Sequence, residues 1–260
     1  MPQKPVPRNF QLVGNWKMHG LKADLAEIKA LAAALKAAPV ASQLTLCLPA
    51  TLLAAARPLG VRLGAQACHA EPAGAHTGAL SAAQLREAGA DAVLCGHSET
   101  RAAWALSDAD VAAAADAARA HEMCAIVCIG EQLAEYETGR ADEVLRRQWM
   151  GSLGAAELQA AALAQTMLAY EPVWAIGSGK TPSAAEIAER HAGLRRDMVA
   201  RYGAAGEALP LLYGGSVTGK NAAEILALPN VDGVLVGGAS LRASDFLPII
   251  RAAEACAAAP

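Results

Sequence analysis

The stretch Ala169-Tyr170-Glu171-Pro172-Val173-Trp174-Ala175-Ile176-Gly177-Ser178-Gly179-Lys180 decides how this chain is read. It closes an apolar run, Thr166 to Ala169, that reads as the end of a buried strand. Glu171 stands where that strand stops. Pro172 has no amide hydrogen and biases Glu171 towards extended backbone, so no helix starts there. An apolar tip, Trp174 to Ile176, leads into Gly-Ser-Gly, and Pro182 restarts the chain. Ser183 then reads as the N-cap of a helical pattern that begins at Ala184. Stiff ends, an apolar tip and glycines whose N–H groups can approach a ligand describe a lid, with a carboxylate base at its root. The competing reading is a surface loop after a strand, carrying a solvated glutamate. What accompanies the stretch elsewhere in the chain decides between them.

The same strand-then-helix grammar runs through all 260 residues. Apolar strand-like runs occur at Gln11–Asn15, Leu44–Leu48, Arg62–Ala65, Ala92–Cys95, Met123–Ile129, Thr166–Tyr170, Leu211–Tyr213 and Gly233–Val236. Helical patterns follow at Leu21–Lys36, Leu52–Ala56, Ser81–Ala88, Asp108–His121, Glu143–Ser152, Ala184–Tyr202, Asn221–Leu228 and Asp245–Ala258. Strands that each feed a helix imply an all-parallel sheet with right-handed crossovers. The count and the length favour a closed α/β barrel, (β/α)8, over an open doubly wound sheet. We expect one domain over residues 1–260, with residues 1–9 as a short extension.

Composition narrows the function. The formal net charge is −3 and no long lysine or arginine run occurs, which argues against nucleic acid and membrane-surface partners. No apolar run approaches the ~18 residues of a spanning helix. The proline-rich start, Met1 to Arg8, lacks the apolar segment of a signal peptide, so a cytoplasmic location is expected. Of the six cysteines, Cys47, Cys95, Cys124 and Cys128 lie in strand-like runs, where cysteine acts as a small hydrophobe. Cys68, His69 and His76 fit no zinc spacing, so neither a metal nor a cofactor is expected.

In a parallel barrel the strand C-termini converge on one mouth. There the chain places Asn15-Trp16-Lys17 after the first strand, Gly96-His97-Ser98-Glu99 after the fourth and Glu171 after the sixth. Gly214-Gly215-Ser216 and Gly237-Gly238 follow the last two strands. A carboxylate, an imidazole, an ammonium and glycine-rich turns that feed helices suit a phosphorylated substrate and proton transfer. Duller readings exist for each. A histidine after a buried strand is often structural, Asn15 is also a turn former, Lys17 is also a solvated lysine, and glycines also serve turns alone.

Five stretches together resemble the triosephosphate isomerase family: Asn15–Met18, Gly96–Glu99, Glu171–Lys180, Tyr213–Val217 and Val236–Ser240. They stand in that family's order and cover nearly the whole chain. The resemblance implies a TIM barrel that interconverts dihydroxyacetone phosphate and D-glyceraldehyde 3-phosphate through an enediolate, in glycolysis and gluconeogenesis. It implies Glu171 as the base, His97 as a neutral electrophile, and Lys17 and Asn15 as partners of developing charge and phosphate. It implies Gly177, Ser216, Gly237 and Gly238 as phosphate ligands. Glu99 is the implied partner of Lys17, and Trp174 and Tyr213 are implied lid supports, with Glu131 a partner of Trp174. Cys128 matches a common family cysteine and reads as packing, as do Trp104 and Trp149.

The long loop Gln66 to Gly78 resembles the family's dimer loop, with Thr77 reaching the partner's Asn15 and His97, and so implies a homodimer. Here the chain departs from the family pattern. Ala67 replaces the usual Asn, Ala79 the usual Glu and Thr100 the usual Arg; Ser178 replaces the usual Thr in the lid. Losing both members of an ion pair avoids an unpaired buried charge, which costs several kcal/mol. A dimer with a less ionic interface is therefore expected.

Overall fold

A computed structural model describes residues 9–153, 160–176 and 180–258. Eight parallel strands close into a barrel in strict chain order: β1 (Gln11–Asn15), β2 (Gln43–Cys47), β3 (Arg62–Ala65), β4 (Ala92–Cys95), β5 (Cys124–Ile129), β6 (Thr166–Tyr170), β7 (Leu211–Tyr213) and β8 (Gly233–Val236). Around them run α1 (Leu25–Ala37), α2 (Ala50–Ala56), α3 (Ala82–Glu87), α4 (Ser98–Trp104), α5 (Asp108–Ala120), α6 (Leu133–Glu137), α7 (Ala141–Ser152), α8 (Ala160–Ala164), α9 (Ala184–Tyr202), α10 (Ala204–Ala208), α11 (Ala222–Leu226) and α12 (Ala243–Ala258). The expected strands match to within a residue at each end. The short helices α6, α8 and α10 are too brief to impose a helical repeat on the sequence, and none was expected.

Each strand alternates between two apolar populations. One set fills the barrel interior: Val13, Cys47, Ala92, Leu94, Cys124, Ile126, Cys128, Met167, Ala169, Leu212 and Leu235. The alternate residues, such as Leu12, Leu46, Val93, Val127, Leu168 and Val234, pack outward under the helices. Among the described residues no lysine lies in that interior cluster. Serine caps start the helices where the sequence places them. Ser183 accepts from the Glu186 N–H at 3.3 Å while the Glu186 carboxylate accepts from the Ser183 N–H at 2.7 Å. Ser107 and Asp110 make the same reciprocal pair at the start of α5.

One aromatic departs from expectation. Trp149 is buried, edge-on to Tyr202, as a packing residue should be. Trp104, at the end of α4, is 61% exposed and is not a core residue of this chain. Its helix ends on Ala105 in the left-handed region, and the ring lines a cavity with residues of the loop that begins at Gln66.

The seam that closes the barrel, β8 against β1, is tight at Gly233. A Cβ there would lie 1.9 Å from the Gln11 carbonyl oxygen. The Gly233→Ala substitution is expected to lower the unfolding free energy by about 1–3 kcal/mol in urea titration. An unchanged midpoint would mean that the seam has slack.

Candidate active site

The site is assembled from the ends of strands, and α4 is its hub. Gly96, with φ of 71°, turns the chain out of β4. His97 is then the N-cap of α4, and its Nδ1 accepts the Glu99 backbone N–H at 3.2 Å. A ring nitrogen that accepts carries no proton, so the proton of the neutral ring is on Nε2. Nε2 points to the mouth and donates to Glu171 Oε1 at 3.1 Å. The other carboxylate oxygen, Oε2, accepts the Ser98 N–H at 3.1 Å. Both side chains are buried. Burial pushes the Glu171 carboxyl above its ordinary range, and His97, the Ser98 N–H and Lys17 pull in the opposite direction.

Lys17 reaches the same mouth from β1 at the expense of backbone strain. Its φ is 51°, uncommon for a residue with a side chain. The Lys17 N–H donates to Asn15 Oδ1 at 2.9 Å, a turn closed by the asparagine side chain. Nζ pairs with Glu99 Oε1 at 2.6 Å. Thus Asn15 is both a turn former and a mouth residue, and the two readings of it coexist.

A cavity of about 280 Å³ joins Asn15, Lys17, His97 and Glu171 to Ser216, Gly237 and Gly238. The chain leaves β8 through Gly237 into a single turn of 3-10 helix, Gly238–Ser240. Ser240 Oγ donates to the Gly237 carbonyl at 2.7 Å, and Trp16 Nε1 donates to the Ser240 carbonyl at 3.0 Å. This ties the β8 turn to the β1 turn. A Cβ on Gly237 would meet Lys17 Cε at 3.4 Å, and one on Gly238 would meet nothing, so the backbone of that turn is open beside the ammonium. Ser216 is exposed at the rim of the same cavity.

At the root of the lid stretch, Trp174 Nε1 and Tyr170 Oη both donate to Glu131 Oε1, at 2.7 and 3.1 Å. Trp174 stacks on Tyr136 with ring centroids 4.2 Å apart. Burial raises the Glu131 carboxyl, while these bonds lower it. Tyr213 lies fully buried at the end of β7, and its hydroxyl has no partner among the described residues. Gly177, with Ser178 and Gly179, lies outside the described residues. Cys128 faces the barrel interior, where burial and the nearby Glu171 charge push its thiol well above the ordinary range; it is packing material and a poor nucleophile. Among the described residues no group of three or more His, Cys, Asp or Glu side chains is placed to hold a metal ion.

The comparisons with known proteins agree with this geometry. The family model for triosephosphate isomerase matches residues 10–253. The chain belongs to the triosephosphate isomerase family. The triosephosphate isomerase of Ruegeria sp. (strain TM1040) is 53% identical over 244 residues, spanning 93% of this chain and 97% of that one. The enzyme of that name from Afipia carboxidovorans is 50% identical over 260 residues, spanning 98% of this chain and 100% of that one. A crystal structure of triosephosphate isomerase from Bartonella henselae superposes with a TM-score of 0.86 at 40% identity, over 94% of this chain and 98% of that one.

Three side chains that brace this site escaped the reading of the sequence. Gln66 Nε2 donates to the Lys17 carbonyl at 2.8 Å and is 3.3 Å from Asn15 Oδ1, so it braces the strained turn. Arg101 Nε donates to the Gly96 carbonyl at 2.9 Å and its Nη1 to Asp108 at 2.8 Å, which fixes the entry to His97. Gln148 holds both backbone groups of Gly130. Only Gln66 carried a signal, because it opens the one long loop.

The buried Glu171 charge has a consequence for stability. A carboxyl whose folded pKa is raised binds more protons folded than unfolded, so its contribution falls as the pH rises above the usual 4.5. The Glu171→Gln substitution removes that penalty. It is expected to unfold at higher temperature than the parent at neutral pH, with the gap shrinking as the pH is lowered through the carboxylate range. A calorimetric scan that finds the gap constant with pH would contradict the burial argument.

Proposed function

We propose how this enzyme carries out the reaction of its family, the interconversion of dihydroxyacetone phosphate and D-glyceraldehyde 3-phosphate in glycolysis. Glu171 is the base. It takes a proton from C1 of the ketose phosphate, and the electron pair moves into the C1–C2 bond as the carbonyl becomes an enediolate oxygen. His97 gives its Nε2 proton to the oxyanion on C2 and takes the proton of the C1 hydroxyl, and Glu171 returns the carbon proton to C2 as C1 becomes the carbonyl, which yields the aldose phosphate. His97 is the electrophile: on substrate binding its Nε2–H turns from Glu171 Oε1 to the reacting oxygen. Lys17 and Asn15 stabilise charge on the enediolate and the phosphate. Gly177, Ser216, Gly237 and Gly238 hold the phosphate, chiefly through backbone N–H groups. Glu99 keeps Lys17 in place. Trp174 and Tyr213 support a lid that sheds water and keeps the enediolate from losing phosphate.

The observation that carries this reading is the 3.1 Å contact between His97 Nε2 and Glu171 Oε1 on the wall of a cavity shared with Lys17 and the glycine turns. Other phosphate-binding barrels fit less well. An aldolase needs a lysine inside the barrel for its Schiff base, and a metal-dependent epimerase needs ligands at the mouth.

We read residues 1–260 as one catalytic domain. We further propose a homodimer. Met18 and Trp104 are 96% and 61% exposed, more than solvent-facing apolar side chains of a monomer gain from. Trp104 lines a cavity of about 690 Å³ together with Ala67, Thr77, Ala79, Leu80 and Thr100, beside the loop that resembles the family's dimer loop. A cytoplasmic location suits the free cysteines, and no described helix is long and apolar enough to cross a membrane.

Two measurements test these readings. The Glu171→Ala variant, folded by circular dichroism, is expected to lose at least about a thousandfold in kcat, with Glu171→Asp intermediate; a full-rate alanine variant overturns the assignment. Sedimentation of the parent at micromolar concentration should give a dimer, and Trp104→Arg should shift it towards monomer. A parent that stays monomeric refutes the dimer.

A further inference from the structure

Beyond the mouth, the end of β5 is held by one side chain from the helix layer. Gly130 follows the last residue of β5 and is buried. Gln148, on α7, binds both of its backbone groups: the Gly130 N–H donates to Gln148 Oε1 at 2.7 Å, and Gln148 Nε2 donates to the Gly130 carbonyl at 3.0 Å. A primary amide presents a donor and an acceptor side by side, so it imitates the peptide of a neighbouring strand. The amide of Gln148 therefore continues the β5 ladder past the point where the strand stops.

Gly130 is also the surface on which Glu171 is seated. A Cβ on Gly130 would lie 1.7 Å from the Glu171 carbonyl oxygen, and the Glu171 N–H donates to the Ile129 carbonyl at 2.8 Å. On the opposite flank a Cβ on Gly214 would meet Glu171 Cγ at 2.8 Å. The base is wedged between two glycines, and the β5 side of the wedge is fixed by Gln148. The next residue, Glu131, receives Trp174, so a shift at Gly130 moves the lid anchor too.

We propose that Gln148 is a positioning residue for the isomerisation, its two-point grip on Gly130 setting where the Glu171 carboxylate stands relative to His97. Gln148 does not line the substrate cavity. It borders a separate cavity of about 450 Å³ behind Glu171, together with Arg101, Asp108, Glu135 and Arg147. That space gives Gly130 room to move once the grip is lost. The hydrogen bonds of the Gln148 side chain go to Gly130 and not to the glycine turns after β7 and β8. Misplacing a reacting group by about 1 Å costs roughly a hundredfold in rate, and a partial shift correspondingly less. The proposal rests on Glu171 being the base.

The test uses two variants of the full chain, assayed well below their unfolding midpoints. Gln148→Met keeps length and bulk but removes donor and acceptor; kcat should fall about tenfold with KM within about twofold. Gln148→Glu keeps the acceptor for the Gly130 N–H, but when ionised sets a second acceptor against the Gly130 carbonyl. Protonated, it donates again. Its kcat relative to the parent should therefore climb as the pH falls from about 8 to about 5.5, across the upper carboxyl range, while the Gln148→Met ratio stays flat. A Gln148→Met enzyme with parental kcat, or a Gln148→Glu ratio that does not change with pH, overturns the proposal and leaves Gln148 a brace for stability alone. The second variant decides the matter if the first does not fold. An active Glu171→Ala enzyme would instead remove the base itself, so the two failures are told apart.

Discussion

Everything at the mouth answers to the burial of one carboxylate. Glu171 is 2% exposed, yet the base proposed for this reaction must be ionised to take a proton from carbon. Burial opposes that charge, and the surroundings restore enough of it to leave a stronger base than a solvated glutamate. The restoring groups all come from the first turn of α4 or depend on it. The Ser98 N–H holds one carboxylate oxygen. His97 Nε2–H holds the other only because the Glu99 N–H occupies Nδ1. Glu99 also fixes the Lys17 ammonium. The start of a seven-residue helix thus sets a tautomer, a hydrogen-bond donor and an ion pair together.

The barrel supplies what α4 cannot, the convergence of distant segments. Asn15 and Glu171 are far apart in sequence, but β1 and β6 end at one rim of a closed sheet. Convergence has a local cost at Lys17, whose left-handed backbone is unfavourable by roughly 1–2 kcal/mol. The Asn15 side chain, the Gln66 amide and the Glu99 ion pair over-determine that turn and hold it. Elsewhere close approach is reserved for glycine. Gly130, Gly214 and Gly233 each lie where a Cβ would collide with a neighbour's backbone or with the base itself.

The fold was legible because its signal is repetitive. Apolar runs of strand length, each followed by helical spacing, fixed the element types, and the Ser183 cap fixed the start of α9. The chemistry-bearing residues were legible for a different reason. They sit immediately after strands, and the parallel barrel leaves such residues one place to go. What stayed hidden acts through backbone. Gln148, Gln66 and Arg101 bind carbonyl and N–H groups of other segments, and a residue that recognises a peptide group leaves no complementary residue type to find in the sequence. Trp104 was misread because residue type alone does not show which helix is covered, and no residue of α4 is buried.

The face around Trp104 shows how a set of substitutions can stay self-consistent. Ala67, Ala79 and Thr100 line one cavity, so the three departures from the family pattern are neighbours in space. Replacing one member of a buried ion pair strands the other charge, whereas replacing both leaves no orphan. Thr100 then spends its hydroxyl within its own helix, donating to the His97 carbonyl at 2.8 Å, so it presents no unmet polar group to a partner. The rest of the lining is mostly apolar, Leu80 and Trp104 included, with Gln66, His69, Thr77 and Asp110 as its polar members. A contact of that composition gains from area removed from water, at roughly 25 cal/mol per Å², and little from charge. In the proposed homodimer its strength would rest on how well a side chain fills the space that small residues leave, and salt would have little to screen.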